Sequence, residues 1–233
     1  MCPSLPWSDG TCPTTVARDV GTSLRFVVLL AGVAALAFGM AALGVAGAAR
    51  GTDGTVTTPF LSYTPPPGWS AAPADPDAAR DTPGLVGVVH GPRYPCGGEE
   101  LVRGFAGAAL LPTDATAGPA DRAERVARWF AATTFAANDG TPPDVTVAPP
   151  RSLQVAGPDG PVDGTLTEAT VRAPAGRSDC TATAGRVLVL AVPAEGGAAL
   201  LLVAGDSEGG PAEPAPTPSA LDAVVESAQL RAT

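Results

Sequence analysis

The chain has 233 residues, with 23 acidic residues against 14 basic ones, and its formal net charge at pH 7 is −9. Every basic residue is an arginine, which excludes a Schiff base, a lysine general base and the lysine of a phosphate-binding P-loop. All but two of the acids and all but three of the arginines follow residue 50. The C-terminal part is therefore acidic and repels phosphate backbones, so we expect no nucleic-acid partner.

Residues 26–49 form an apolar run without a charge, bracketed by Arg25 and Arg50. At about 1.5 Å per helical residue the run reaches roughly 36 Å, enough to cross a hydrocarbon core of about 30 Å. We predict a single transmembrane helix over residues 26–49, preceded by a disordered cytoplasmic tail over residues 1–25.

The flanking charges predict the orientation of this helix. Arg18 and Arg25 on the N-terminal side outnumber Arg50, which favours a cytoplasmic N-terminus and an extracytoplasmic C-terminal domain at the cell membrane. The alternative is a secretory signal cleaved after Ala48, at the small-x-small sequence Ala46-Gly47-Ala48. The run is longer than the apolar region of most signal peptides, which favours an uncleaved anchor.

A polar linker over residues 50–58 leads into a domain predicted to span residues 59–231. Its strands are indicated by β-branched or alternating apolar runs between glycine, proline and polar clusters. The last two runs are almost continuously apolar, which predicts a hairpin in the middle of a sheet, covered on both faces. The predicted strands are 60–64, 85–89, 105–111, 145–147, 152–155, 164–171, 186–192 and 198–204.

Two helices are predicted from apolar residues spaced three and four apart. Pro119 suits the first position of one helix, whose apolar face includes Ala123 and Phe130. Thr217 caps the other helix and Pro218 begins it. The order of strands, helix, strands and helix predicts the α+β class, with an antiparallel sheet packed with two helices.

Four of these features resemble the PsbP-like fold: Tyr63 leading into Pro67-Gly68-Trp69, the helix over 123–130, the hairpin over 187–203, and the closing helix with Ser227. They are also similar to membrane-anchored extracytoplasmic domains of unknown function from GC-rich actinobacteria. In those domains a Cys-Gly-Gly such as Cys96-Gly97-Gly98 pairs with a later Asp-Cys such as Asp179-Cys180. The resemblance covers roughly residues 59–231. It implies an α/β/α sandwich, an envelope location and an accessory or binding role, and it brings no catalytic residues.

Cys96 and Cys180 are the two cysteines that follow the apolar run. An even pair in an oxidising compartment predicts a disulfide between them. The alternative is a catalytic nucleophile, either Cys96 or a serine, that uses His90 as its base with an acid such as Glu99. Because neither a Gly-x-Ser-x-Gly elbow nor a zinc-protease motif accompanies this histidine, we expect no catalytic residues.

We expect the binding surface at the loop-rich edge that contains Tyr94, Glu99 and Glu100. Acid pairs could hold calcium weakly or serve carboxylate-based hydrolysis, but none matches an EF-hand loop, so we expect no metal and no cofactor. Besides Glu99 and Glu100, these pairs are Asp75 with Asp77 and Asp206 with Glu208.

The sequence therefore predicts a non-enzymatic accessory or binding module, anchored to the lipid bilayer through residues 26–49. Its expected partner is an envelope protein, a peptide or a wall component. The alternative is an envelope or secreted hydrolase that uses His90 or a carboxylate pair.

Overall fold

A computed structural model of the chain describes residues 49–50, 54–71, 84–96, 99–112, 118–137, 140–174, 182–210 and 215–232. These residues form fourteen strands and two helices. The strands are β1 (Ala49–Arg50), β2 (Val56–Thr57), β3 (Leu61–Tyr63), β4 (Ser70–Ala71), β5 (Val86–His90), β6 (Arg93–Cys96), β7 (Glu99–Val102), β8 (Gly104–Pro112), β9 (Asp144–Val147), β10 (Arg151–Gly157), β11 (Gly160–Arg172), β12 (Ala182–Ala194), β13 (Gly197–Gly209) and β14 (Gln229–Leu230). The helices are α1 (Pro119–Thr134) and α2 (Pro218–Glu226).

Twelve strands form one sheet, in the order β1-β2-β3-β14-β10-β11-β12-β13-β8-β5-β4, with β9 paired to β11 beside β10. Its described pairings are antiparallel except that between β10 and β14. Strands β6 and β7 form a separate two-stranded hairpin. The chain thus inserts its last strand, β14, between β10 and the N-terminal strand β3.

The β12–β13 hairpin lies at the centre of the sheet, as the sequence predicts. Its register places Leu190 opposite Leu201. Since successive side chains of a strand point to opposite faces, Leu188 and Leu190 belong to one apolar core, whereas Val187 and Val189 belong to another. We call the first the inner core and the second, which α1 covers, the outer core.

Tyr63 joins the two sides of the sheet across the inner core. From β3 its buried hydroxyl donates to the carbonyl oxygen of Gly87 in β5, and the carbonyl oxygen of Ala106 lies 3.3 Å away as a second acceptor. Seven strand spacings separate β3 from β5 in the sheet order, which would put them roughly 34 Å apart in a flat sheet at about 4.8 Å per spacing. The contact therefore requires the sheet to curl, and it does so as a half-barrel.

Gly87 lies in a β-bulge that suits this contact. The register between β5 and β8 shifts between Val86 and Val89, and Gly87 has a φ of 64°, which glycine adopts without steric cost. A bulge leaves backbone groups without a ladder partner. The Tyr63 phenol donates a hydrogen bond to the Gly87 carbonyl and so acts as its partner. Burial raises the pKa of this phenol.

Both predicted helices are present. Helix α1 begins at Pro119 and packs Ala123, Ala127 and Phe130 into the outer core. Helix α2 begins at Pro218, where the Thr217 hydroxyl accepts a hydrogen bond from a backbone N–H of the first turn. Its apolar residues, Leu221, Val224 and Val225, enter the inner core.

The predicted α+β class and the PsbP-like α/β/α sandwich are wrong. The described residues form mainly strands, and the two helices have only 16 and 9 residues. Strands β11, β12 and β13 have 13 residues each, longer than the predicted 164–171, 186–192 and 198–204, because pairing continues beyond the apolar residues. Strands of two to four residues carry too little periodicity to be recognised, so several were missed.

No helix in the described part of the chain is both long enough and apolar enough to cross a membrane. The tail over 1–25 and nearly all of the transmembrane helix predicted over 26–49 lie outside that part, while Ala49 belongs to β1. The predicted linker over 50–58 contains β2, and Val56 and Thr58 are buried. The folded domain therefore begins before residue 59.

We predict that Tyr63→Phe lowers the free energy of unfolding by about 1–3 kcal/mol, because it leaves the partly buried Gly87 carbonyl without its donor. Urea unfolding followed by circular dichroism measures the change. Ser152→Ala removes a hydroxyl from an exposed position in β10 and serves as the control. Equal stability of Tyr63→Phe and the wild type would contradict the role given to this hydrogen bond.

Candidate functional site

Polar residues replace the inner core at one end of the sheet. Arg172 lies opposite Asp144 on one side and opposite Ala184 on the other, and Ala184 lies opposite Glu208. Residues directly opposite one another on neighbouring strands share a face. These four residues therefore form one row across β9, β11, β12 and β13.

A second row runs beside the first. Thr170 lies opposite Thr146 and Arg186, and Arg186 lies opposite Gly205. Arg186 precedes Leu188 by two residues in β12, which places both rows on the inner face. The two rows, except Gly205, line a cavity of about 360 Å³ together with Val171, Gly185 and Ser207. We call this cavity the polar groove.

Arg186 is held at the groove by three partners. Its guanidinium forms a bidentate pair with Glu168, with Nη2 and Oε2 2.9 Å apart, and Nη2 lies 3.0 Å from Oδ1 of Asp222 on α2. Nη1 also donates to the carbonyl oxygen of Pro218. The hydrogen bonds with Glu168 raise the pKa of Arg186, so its charge is permanent.

Gly205 lets α2 approach the groove. A Cβ atom at this position would lie 2.7 Å from Pro216 and 3.1 Å from Leu221, so a larger residue would push the start of α2 away from β13. This close packing brings Asp222 to Arg186. Ala184, which has a small side chain, lines the groove itself.

The charged residues that line the groove are two acids and two arginines, and an excess of negative charge comes from Glu168 and Asp222 beside it. One guanidinium, that of Arg186, faces the two carboxylates of Glu168 and Asp222. The first row adds two acids and one arginine. In and beside the groove there are therefore four carboxylates and two guanidinium groups: Asp144, Glu168, Glu208 and Asp222, with Arg172 and Arg186.

The β6–β7 hairpin lies at the same end of the sheet as the polar groove. It connects β5 to β8 where His90 lies opposite Phe105 and Phe105 opposite Ala204, and β13 then continues towards Ser207 and the groove. Arg103, at the base of the hairpin, donates to the carbonyl oxygen of Gly209 and lies 3.4 Å from Oδ2 of Asp206. These contacts fix the hairpin to the end of β13.

The predicted binding residues lie on this hairpin with different exposures. Tyr94 is buried, so its ring is part of the packing. Glu100 is exposed, and its Oε2 lies 3.7 Å from Nη1 of Arg93. Glu99 pairs through its backbone with Cys96, and its side chain lies outside the described residues. Of the three, Glu100 is thus the residue with a described side chain at the surface.

His90 lies in β5 at the rim of the outer core. Its ring centre is 6.3 Å from that of Phe105, and its Nδ1 is buried with no hydrogen-bond partner. Burial, and then the charge of Arg93, lower the pKa of His90. No carboxylate among the described residues forms a hydrogen bond with it. In the described part of the chain, the imidazole therefore has no hydrogen-bonded acid of the kind that the hydrolase alternative needs, and the side chain of Glu99 lies outside that part.

Cys96 is disulfide-bonded. Its predicted partner, Cys180, lies outside the described residues, as do Asp75 and Asp77, so the Cys96–Cys180 pairing stays a prediction. The described residues contain no group of three or more metal-ligating side chains close enough to hold an ion.

A family profile described as "Domain of unknown function (DUF8017)" matches residues 47–232. The chain belongs to the DUF8017 family. No curated protein matches it. The DUF8017 match begins two residues before β1 and ends with the last described residue, so the family domain includes β1, β2 and the inserted strand β14. The match gives neither a PsbP-like fold nor an actinobacterial origin.

Sequence reasoning missed the residues that build the groove of this DUF8017 domain. Arg186 and Glu168 belong to different predicted strands, and Asp222 belongs to the last helix, so their meeting depends on long-range pairing. A signal was nevertheless present. Glu168 and Arg186 each lie two residues from an apolar inward position, Leu166 and Leu188. Charged side chains on the buried face of a strand indicate a paired or functional site.

We predict that Arg103→Leu lowers the free energy of unfolding by about 3–5 kcal/mol, since it leaves a largely buried Asp206 carboxylate without its cation. The two side chains are 7% and 14% exposed. Arg93→Leu is the matched control, because the Arg93–Glu100 pair is 48% and 62% exposed and should contribute at most about 1 kcal/mol. Similar losses in the two variants, measured by urea unfolding, would show that the Arg103 pair does not fix the hairpin.

We predict that His90 makes the domain less stable as the solution becomes acidic. Its pKa in the folded state is below the ordinary value, so the unfolded chain binds a proton more readily. The neutral imidazole then stabilises the fold above about pH 6.5, and that contribution is lost progressively as the pH falls below this value. His90→Gln should show a smaller fall in Tm between pH 7.5 and pH 5.5 than the wild type. An equal fall in Tm with pH for the two proteins would show that His90 does not cause the loss of stability in acid.

Proposed function

We propose that this DUF8017 domain is an extracytoplasmic binding module that takes an amine-bearing polar ligand, such as a cationic segment of a peptide, into the polar groove. The observation that carries the proposal is the sharing of Arg186 between Glu168 and Asp222. One guanidinium cannot neutralise two carboxylates. A ligand ammonium or guanidinium group would complete the charge balance and form charge-assisted hydrogen bonds.

The size and lining of the groove support a small polar ligand. A volume of about 360 Å³ is at the lower end of the range for ligand sites, roughly 300–1,000 Å³. Hydroxyl groups of Thr146, Thr170 and Ser207 lie at exposed positions along it. They can donate to the carbonyl groups of a peptide or accept from its amides.

The membrane location in this proposal rests on the sequence. The apolar run before β1 is long enough to cross a bilayer and has more arginines on its N-terminal side. The disulfide state of Cys96 fits an oxidising compartment, and we propose Cys180 as its partner. A composition rich in alanine, glycine and proline, with arginine in place of every lysine, supports a GC-rich actinobacterial source. An envelope protein, a peptide or a wall component that presents an amine remains the proposed partner class.

A hydrolase has less support from the described geometry. His90 packs beside Phe105, and burial, followed by the positive charge of Arg93, lowers its pKa, whereas a carboxylate partner would raise it. A general base is normally oriented by an acid that stabilises its charged form. Glu168 and Asp222 instead pair with Arg186, which suits recognition of charge.

We predict that the domain over residues 47–232 binds the tripeptide Gly-Lys-Gly in the groove with a dissociation constant in the millimolar range. Only a few polar contacts are available to so small a probe. Two-dimensional ¹⁵N NMR titration should shift the amide signals of Thr170 and Arg186, and the shifts should weaken as salt is added. Gly-Glu-Gly should give much weaker shifts, because the carboxylates in and beside the groove outnumber the guanidinium groups.

Two variants test the site itself. Asp222→Asn removes the carboxylate that shares Arg186 and should weaken Gly-Lys-Gly binding at least threefold. Glu195→Gln removes the same charge from an exposed turn at the other end of the sheet and should leave binding unchanged. Equal affinity for both tripeptides, or shifts that map away from the groove, would overturn the proposal.

A further inference from the structure

The register of the N-terminal strands shows from which end of the sheet the chain arrives. Ala49 lies opposite Thr57, which lies opposite Ser62, which lies opposite Gln229. Gln229 in turn lies opposite Ala156. This row is at the level of the turn between β10 and β11, so the chain reaches β1 from that side.

The two main hairpin turns mark the same end. Pro158 and Asp159 connect β10 to β11, and Glu195 and Gly196 connect β12 to β13. We call this the turn end and the opposite one, which contains the polar groove and the β6–β7 hairpin, the groove end. Ten residues of β12 separate Ala194 from Ala184. At about 3.3 Å per residue, the two ends are roughly 33 Å apart.

The chain has almost no spacer between the apolar run and the sheet. The run ends at Ala49, and Ala49 is already paired with β2. A membrane helix over the run would therefore deliver the chain directly into the first strand. A domain attached in this way is held close to the bilayer, because no flexible linker separates it from the membrane helix.

We infer that the turn end faces the bilayer surface and that the groove end is presented away from it, towards ligands in the envelope. This inference rests on the membrane anchor of the proposed function, but it does not depend on which ligand the groove takes. It assigns the turn end, with Asp159 and Glu195, as the surface next to the lipid headgroups. It also places Glu100 and the polar groove on the same outward surface.

Fluorescence energy transfer in vesicles tests the orientation. The full chain with Cys2→Ser and Cys12→Ser is reconstituted into phosphatidylcholine vesicles that contain a rhodamine-labelled lipid. A donor dye is attached at Asp159→Cys on the turn end or at Ser207→Cys on the groove end, both exposed positions. The parent without an added cysteine controls for labelling of Cys96 and Cys180, and Thr146→Cys gives a second label at the groove end.

Transfer from the Asp159→Cys label to the lipid should be several-fold more efficient than transfer from either groove-end label. Equal or inverted efficiencies in protein that floats with the vesicles would overturn the orientation and leave the anchor intact. A chain that does not float with the vesicles would instead overturn the anchor, and with it the orientation. The tripeptide titration of the domain over 47–232 would be unaffected by either result.

Discussion

The hydroxyl of Tyr63 contacts a strand that would lie far away if the sheet were flat. Its hydrogen bond to the Gly87 carbonyl, supported by the longer contact to Ala106, crosses the interior of the half-barrel. Around it the inner core is closed by side chains from both sides of the sheet and from α2. The curl determines which residues from the two sides of the sheet can meet in the inner core.

The groove is a continuation of the inner face beyond the apolar residues. Strand β12 places leucines on that face in its middle and then Arg186 and Ala184 towards its start. Because the strand keeps its alternation throughout, the change from core to groove comes from side-chain chemistry alone. Helix α2 serves both regions, since it packs Leu221 into the core and brings Asp222 to Arg186. The stability of the core and the geometry of the groove therefore both depend on where α2 packs on the sheet.

Features that depend on neighbouring residues could be predicted from the sequence. The β12–β13 hairpin, the start of α1 at Pro119 and the Thr217 cap of α2 follow from local patterns. The curl, the insertion of β14 between β3 and β10, and the β9 pairing depend on residues far apart in the sequence, and local patterns do not encode them. For that reason the α+β class was wrong, and the binding edge was predicted around Tyr94 without the groove beside it.

The most direct test of this account is a nuclear Overhauser experiment on the ring of Tyr63, one of two tyrosines in the chain. In protein with labelled tyrosine, the account predicts cross-peaks from this ring to Gly87 in β5 and Ala106 in β8. A flat or differently ordered sheet would show cross-peaks from the ring only to its near neighbours in β2 and β14. That result would contradict the closed inner core, whose face the groove continues.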